Sequence, residues 1–202
     1  MLPLAEEFSV AIAGGDTNCW EGGLVVSVTA IGETTFDGTL RRDGAQVGDM
    51  LLVTGTLGGS RLGKQFDFVP RVWEALAWNR TYDLHAAIDV SDGLALDLRR
   101  VCEASRCGAI LESSSIPVSE DADQWASMSG EERTPLEHAL SDGEDFELLL
   151  AVPPETAEAM LANAGETPLT KIGCITAGTE IQLRNVGGAL VDLPTLGYEH
   201  GT

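Results

Sequence analysis

Positive charge is scarce in this sequence, where 12 lysines and arginines stand against 32 aspartates and glutamates, for a formal net charge of −20. Surfaces that bind nucleic acid or anionic membranes need clustered cations, so this balance argues against both partners. Long apolar runs are also missing, because no stretch approaches the roughly 20 apolar residues of a membrane span. The first residues, MLPLAEEFSV, contain no cationic region of the kind that opens a signal peptide. We therefore expect a soluble protein.

Cysteine is sparse as well, and its four positions form no CxxC pair. Cys102 falls on the apolar stripe of a predicted helix, which favours buried thiols over zinc ligands or disulfides. This cysteine usage is typical of a reducing cytoplasm. His85 and His138 have no partner at the spacing of a metal site or a catalytic triad, so we interpret both as structural or surface residues.

Apolar periodicity predicts an α+β fold, with a mixed sheet packed against helices. A helix is expected to open at Pro70, with Val72, Trp73 and Leu76 facing inward. The polar stretch over residues 113–133 is interpreted as surface. Helices are predicted over residues 4–12, 93–106 and 136–140 and after Pro153-Pro154. Strands are predicted over 24–31, 109–111, 146–152, 169–175, 180–183 and 189–193. Two further strands are predicted without fixed ends, one within MLLVTGTLGGS at 50–60, which ends in a glycine loop and a short helix, and one that carries Asp89 and Ser91.

The segment AIDVSDGL, residues 87–94, concentrates polar oxygen atoms where a strand becomes a helix. Strand alternation sends Ile88 and Val90 to one face and leaves Asp89 and Ser91 on the other. Asp92 then precedes a glycine and the unpaired N–H groups of a helix N-terminus. Carboxylates beside such a terminus suit Mg²⁺ and phosphate together.

Three more turns combine glycine with acidic or hydroxyl side chains: GGD at 14–16, TGTLGGS at 54–60 and SDGED at 141–145. Each alone is an ordinary turn or helix-cap sequence. As a set, they predict backbone N–H groups open to phosphate and carboxylates for Mg²⁺ arriving from separate loops.

No GxxxxGK[ST] pattern is present, which excludes a P-loop. Arg41-Arg42 is either a phosphate clamp or a solvated pair.

Six strings in series resemble the thiamine-monophosphate kinase family, of the superfamily that includes aminoimidazole ribonucleotide synthetase and selenophosphate synthetase. The terminal GYEH and the GED within SDGED are particular to the kinases, and the resemblance spans nearly the whole chain. The six strings are GGDT at 14–17, RRDGAQVGD at 41–49, VTGTLG at 53–58, AIDVSDGL at 87–94, DGEDFEL at 142–148 and GYEH at 197–200.

That resemblance implies ATP-dependent phosphorylation of thiamine monophosphate to thiamine diphosphate with several Mg²⁺ ions. No side chain is assigned as a catalytic acid or base, because the attacking phosphate is already anionic and positioning supplies most of the catalysis. The implied assignments are Asp16, Asp89 and Asp92 on Mg²⁺, Gly15, Asp16, Arg42 and Ser91 on ATP, and Glu144 and Tyr198 on thiamine phosphate.

Family members also carry an N-terminal domain that supplies most of the metal cluster and the usual dimer interface. We therefore expect residues 1–43 to be a remnant of that domain with its linker, and residues 44–202 to be the C-terminal α+β domain. Asp142, where the family usually has glycine, and Gly59, where aspartate is common, depart from its pattern. The chain alone is expected to be nearly inactive, and its own dimerisation stays open.

Two other hypotheses remain at this point. A sibling ATP-dependent synthetase of the same superfamily would act on another small substrate. A non-catalytic fragment would bind a nucleotide or thiamine, or a partner protein, without turnover.

Overall fold

A computed structural model describes residues 2–35, 37–194 and 197 of the chain. It divides into two compact units, residues 1–36 and residues 37–202. The first contains one short helix, α1 (Leu2–Glu7). The domain boundary that the resemblance implies, after residue 43, stays a prediction.

The strand expected over residues 24–31 is wrong. The described residues 8–35 contain no helix or strand, and Leu24 and Ile31 leave 93% and 94% of their surface exposed. An alternating pattern forms a strand only where a neighbouring strand takes its backbone hydrogen bonds and one face is buried. Within the described residues this segment has neither. The helix expected over residues 4–12 is likewise shorter, because it ends at Glu7.

The second unit is built on one seven-stranded sheet with the order β2-β4-β1-β5-β3-β6-β7. Neighbours are antiparallel except for β3 and β6, which are parallel, so the predicted α+β class with a mixed sheet is confirmed. The strands are β1 (Met50–Thr54), β2 (Ala86–Val90), β3 (Gly108–Glu112), β4 (Glu147–Val152), β5 (Leu169–Thr176), β6 (Ile181–Arg184) and β7 (Leu190–Asp192).

Both faces of the sheet are covered, because its central strands send apolar side chains to each side. Leu51 and Val53 of β1 join one buried cluster, whereas Leu52 joins the other. The first cluster includes Leu98 of α3, and the second includes Met160 of α6. The helices of this unit are α2 (Val72–Thr81), α3 (Leu94–Ser105), α4 (Glu120–Met128), α5 (Pro135–Ser141) and α6 (Pro154–Ala162).

One prediction of local structure needs correction. Trp78 is the buried residue of α2, whereas Val72, Trp73 and Leu76 are exposed, because the short helix packs by its later turn. The stretch 113–133, predicted to be surface, is mostly exposed or half-buried and contains α4, which begins where the Ser119 side chain accepts a hydrogen bond from the Asp121 amide at 3.2 Å. None of the helices in the described ranges is long and apolar enough to cross a membrane.

Candidate functional site

The loop between β2 and α3 places three of the predicted site residues in sequence. Asp89 is exposed on β2, while the next residue, Val90, is fully buried against the core. Ser91 and Asp92 follow as a half-buried pair. The chain then turns through Gly93, at φ +113°, into α3, as the sequence predicts. The three polar residues therefore occupy one short segment at the start of a helix.

A residue that the sequence reasoning missed organises this loop. Asp97, completely buried in the first turn of α3, accepts hydrogen bonds from the amides of Ser91 and Asp92 at 3.0 and 2.9 Å. Its other carboxylate oxygen accepts a hydrogen bond of 2.7 Å from Arg100, which also pairs with Asp92. Burial raises the pKa of Asp97, and the amide hydrogen bonds and Arg100 offset part of that rise. The sequence signal that could have indicated this role is an acidic residue, Asp97, within the apolar stripe of a predicted helix.

The SDGED turn binds directly to this loop through the backbone. The Glu144 amide donates a hydrogen bond of 2.8 Å to the Ser91 carbonyl, and the Phe146 amide donates one of 2.9 Å to the Val90 carbonyl. Glu144 and Phe146 both have positive φ angles, 53° and 52°. The Glu144 side chain is exposed. The structure thus brings together two turns that are about 50 residues apart in the sequence.

Arg42 lies in the segment beside the outer edge of β2. The neighbouring Arg41 carbonyl accepts a hydrogen bond of 2.9 Å from the Ala87 amide, and the Arg42 carbonyl accepts one of 3.2 Å from Ser105. The Arg42 residue itself is exposed. The neighbouring Arg41 is paired with Asp43.

The glycine loop after β1 differs from expectation. The Gly58 amide donates to both oxygens of Asp145, at 3.0 and 2.9 Å, and the Gly59 amide donates to the same carboxylate at 3.2 Å. A side chain of the protein therefore occupies the N–H groups that the sequence offered to phosphate. Lys64 lies 3.6 Å from that carboxylate. Burial raises the pKa of Asp145 to about 6, against the effect of the glycine amides and Lys64.

Glu147 is a second buried carboxylate, at the start of β4. It accepts hydrogen bonds from Thr54 at 2.6 Å and from Arg71 at 2.8 Å, and Lys64 lies 3.2 Å away. Burial alone would raise the pKa of Glu147, but these hydrogen bonds and charges outweigh it and hold the pKa below its ordinary value. Two carboxylates and two cations thus fix the base of the glycine loop.

Both histidines pair with carboxylates that the sequence did not indicate. His85 lies 2.9 Å from Asp49, and the fully buried His138 lies 2.7 Å from Asp142. Asp142, one of the departures from the family pattern, is also paired with Arg133 at 2.8 Å. These contacts give both histidines structural roles, as predicted.

The other predicted site residues are Gly15, Asp16 and Tyr198. Gly15 and Asp16 are exposed in the first unit, where the Asp16 carboxylate accepts hydrogen bonds from the Thr17 amide at 2.9 Å and from Asn18 at 3.2 Å. Tyr198 lies outside the described residues. Across the part of the chain that the structure describes, no group of three or more histidines, cysteines, aspartates or glutamates is arranged to hold a metal ion.

Comparisons with known proteins agree with this architecture. A thiamine-monophosphate kinase of Rhodopirellula baltica is 45% identical over 201 residues, which cover 100% of this chain and 62% of that protein. A crystal structure of thiamine-monophosphate kinase from Stenotrophomonas maltophilia K279a matches with a TM-score of 0.59 and 30% identity, over 71% of this chain and 52% of that one. A structure of AaThiL complexed with AMPPCP and TMP has a TM-score of 0.59 and 25% identity, over 80% of this chain and 54% of that one.

The family model of the C-terminal domain of AIR synthase related proteins matches residues 46–185. That range runs from just before β1 to just after β6, so it contains all of the sheet except β7. The chain spans about three fifths of the length of the curated relatives that it matches, 62% for the one from Rhodopirellula baltica. On the family model and the shared architecture, the chain belongs to the AIR synthase related proteins and carries their C-terminal domain.

Proposed function

We propose that this chain belongs to an enzyme that transfers the γ-phosphoryl group of ATP to thiamine monophosphate, giving thiamine diphosphate. The observation that carries the proposal is the backbone contact between Ser91 and Glu144, which brings together the loop that we assign to the nucleotide and the loop that we assign to the substrate. The 45% identity to the Rhodopirellula baltica kinase supports the choice of substrate. So does AaThiL, which is complexed with AMPPCP and TMP.

The residue roles are part of the proposal. Asp89 and Asp92 bind Mg²⁺, and Asp16 is assigned to Mg²⁺ as well. Ser91, Gly15 and Asp16 contact ATP, and Arg42 binds its phosphates. Glu144 and Tyr198 hold thiamine monophosphate. These assignments are supported by the loop geometry and by the exposure of Asp89, Arg42 and Glu144, because a side chain must be accessible to contact a ligand.

Magnesium fits the donor set of the β2–α3 loop as a hydrated ion. Mg²⁺ is usually held by one or two carboxylates together with water and substrate phosphates, rather than by a cage of protein ligands. Asp89 and Asp92 can supply that number, and the described residues contain no larger cluster. When bound, the ion neutralises charge that builds up on the transferring phosphoryl group.

The chain's own contribution is to position and neutralise charge. A phosphate nucleophile is anionic at neutral pH, so the transfer needs no strong base beside it. The Ser91–Glu144 contact fixes the separation of the two loops, and an arginine at position 42 can clamp phosphate oxygens by paired hydrogen bonds. A cytoplasmic location also belongs to the proposal, supported by four cysteines that are all free thiols.

A turnover assay tests the reaction. The chain is extended at its N-terminus with the corresponding segment of the Rhodopirellula baltica kinase and incubated with ATP, Mg²⁺ and thiamine monophosphate. We expect one thiamine diphosphate for each ADP, and near absence of product from the 202-residue chain alone. A folded extended chain that binds AMPPCP but forms no thiamine diphosphate would contradict the substrate assignment, and robust turnover by the short chain would contradict its dependence on the added segment.

A further inference from the structure

The carboxylate of Asp97 is fully buried and accepts hydrogen bonds from the β2–α3 loop. One of its oxygens accepts the amides of two consecutive residues, Ser91 at 3.0 Å and Asp92 at 2.9 Å. The other accepts a hydrogen bond of 2.7 Å from Arg100. The same guanidinium nitrogen of Arg100 also donates to the Asp92 carboxylate. Backbone and side chain of Asp92 are therefore both fixed, directly or through Arg100, by Asp97.

Burying the Asp97 carboxylate costs free energy, and its hydrogen bonds to the loop offset that cost. A buried carboxylate is unfavourable unless its charge is balanced and its oxygens accept hydrogen bonds. Asp97 meets both conditions only while the loop keeps this conformation, because two of its three donors are loop amides. The loop amides, in turn, gain a charged acceptor that no apolar residue at position 97 would supply. The carboxylate and the loop order each other.

We infer that Asp97 is a positioning residue that holds Ser91 and Asp92 in the geometry that binds the metal-bound nucleotide. This inference rests on the proposed function, which places Asp92 on Mg²⁺ and Ser91 on ATP. Arg100 completes the arrangement by aligning the Asp92 carboxylate. Residues that orient metal ligands in this way commonly change metal affinity 10- to 100-fold when they are replaced.

A simpler role for Asp97 would be to stabilise the N-terminus of α3 through the helix dipole. An acidic side chain in the first turn does this wherever it points, without binding a particular loop. The two roles predict different results for Asp97→Asn, because a dipole effect lowers stability without loosening the Ser91 and Asp92 amides specifically. Glu103→Gln provides the matched control, as an exposed acid-to-amide change on the same helix.

Amide hydrogen exchange measured by NMR separates these roles on the chain itself. In Asp97→Asn we expect the amides of Ser91 and Asp92 to exchange about tenfold faster or more, since each loses a charged acceptor. The amides of Leu149 and Leu150 in the central strand β4 serve as the internal reference for global opening. Unchanged exchange at Ser91 and Asp92, or an equal rise at the β4 amides, would overturn the inference.

Nucleotide binding provides a second measurement that does not need turnover. Calorimetry with AMPPCP, with and without Mn²⁺, should show Asp97→Asn weakening the metal complex about tenfold or more, and weakening metal-free AMPPCP less, because only the metal complex depends on Asp92 as well as on Ser91. Arg100→Gln should weaken the metal complex too, yet leave exchange at the Ser91 amide unchanged. Equal losses with and without metal would overturn the inference. If the unmodified chain binds no AMPPCP in either form, the proposed function fails for this chain, and the exchange experiment still decides the role of Asp97.

Discussion

The backbone amide of Glu144 donates a hydrogen bond of 2.8 Å to the carbonyl oxygen of Ser91. Gly143, immediately before it, has a φ of +69°, and a Cβ atom at that position would lie 2.6 Å from the same Ser91 oxygen. The two turns therefore approach each other so closely that glycine is required for both its backbone angle and its small size.

Gly143→Ala should lower the free energy of unfolding by about 2 to 4 kcal/mol, from backbone strain together with the overlap with Ser91. Gly165→Ala is the matched control, because Gly165 has the same φ of +69° with no atom within 4 Å of the added Cβ. Gly165→Ala should lower the free energy of unfolding by only about 1 kcal/mol. Urea denaturation measures both, and equal losses would show that the close approach of the two turns contributes nothing.

The buried Asp145 should make stability depend on pH in an unusual direction. Its pKa rises from 3.8 to about 6 in the folded protein, so between those values the folded state holds a proton that the unfolded chain has released. The free energy of unfolding contributed by Asp145 is therefore present below pH 4 and is lost as pH rises through 6. The total change is on the order of 3 kcal/mol.

Asp145→Asn removes this titration while its amide oxygen still accepts the Gly58 hydrogen bond. Other carboxylates titrate in the same range, so the difference in unfolding free energy between wild type and Asp145→Asn is the quantity to follow. Urea denaturation between pH 4 and 7 should show wild type losing stability relative to the variant as pH rises. A constant difference across this range would mean that the pKa of Asp145 is not raised.

The ion pair between Arg71 and Glu147 should contribute far more than a comparable surface pair. Arg71→Met leaves the buried Glu147 with one cation fewer, so we expect it to lower the free energy of unfolding by about 3 kcal/mol. Arg184→Met breaks a pair of similar length, 3.0 Å to Glu112, in which both side chains are about 40% exposed. That change should cost less than about 1 kcal/mol. Comparable losses in urea denaturation would contradict the dependence on burial.

The sequence predicts most of the sheet because its strands carry their own signals. Apolar runs such as residues 146–152 form strands wherever both faces are buried, and the apolar stripe of α3 is equally local. Residues 24–31 show a strand pattern too, yet the described part of the chain provides no neighbouring strand to pair with them. A strand depends on its partner, and one segment's pattern does not contain that information.

The site is predicted less completely than the fold, for a related reason. Asp89, Ser91 and Asp92 were identified because they lie within eight consecutive residues that also fix the turn. The sequence presents Asp145 only as one carboxylate in an acidic turn. In the structure it accepts hydrogen bonds from the amides of Gly58 and Gly59, which lie 87 and 86 residues earlier. Contacts over such separations come from the topology of the sheet, which brings β1 and β4 side by side.

Asp89 offers the sharpest separation of function from stability. It is exposed on β2, one edge strand of the sheet, so Asp89→Asn should change the unfolding free energy by less than about 0.5 kcal/mol. Because Asp89 is a proposed Mg²⁺ ligand, Asp89→Asn should nevertheless weaken binding of Mn²⁺-loaded AMPPCP by at least about tenfold, with little effect on binding of the metal-free nucleotide. Asp192→Asn is the matched control, because Asp192 is an exposed aspartate on β7, the opposite edge strand. Calorimetry compares the variants, and removal of the metal with EDTA should erase the difference between Asp89→Asn and wild type. If both substitutions leave the affinity for the metal complex unchanged, Asp89 is an ordinary surface carboxylate and the metal must be held elsewhere.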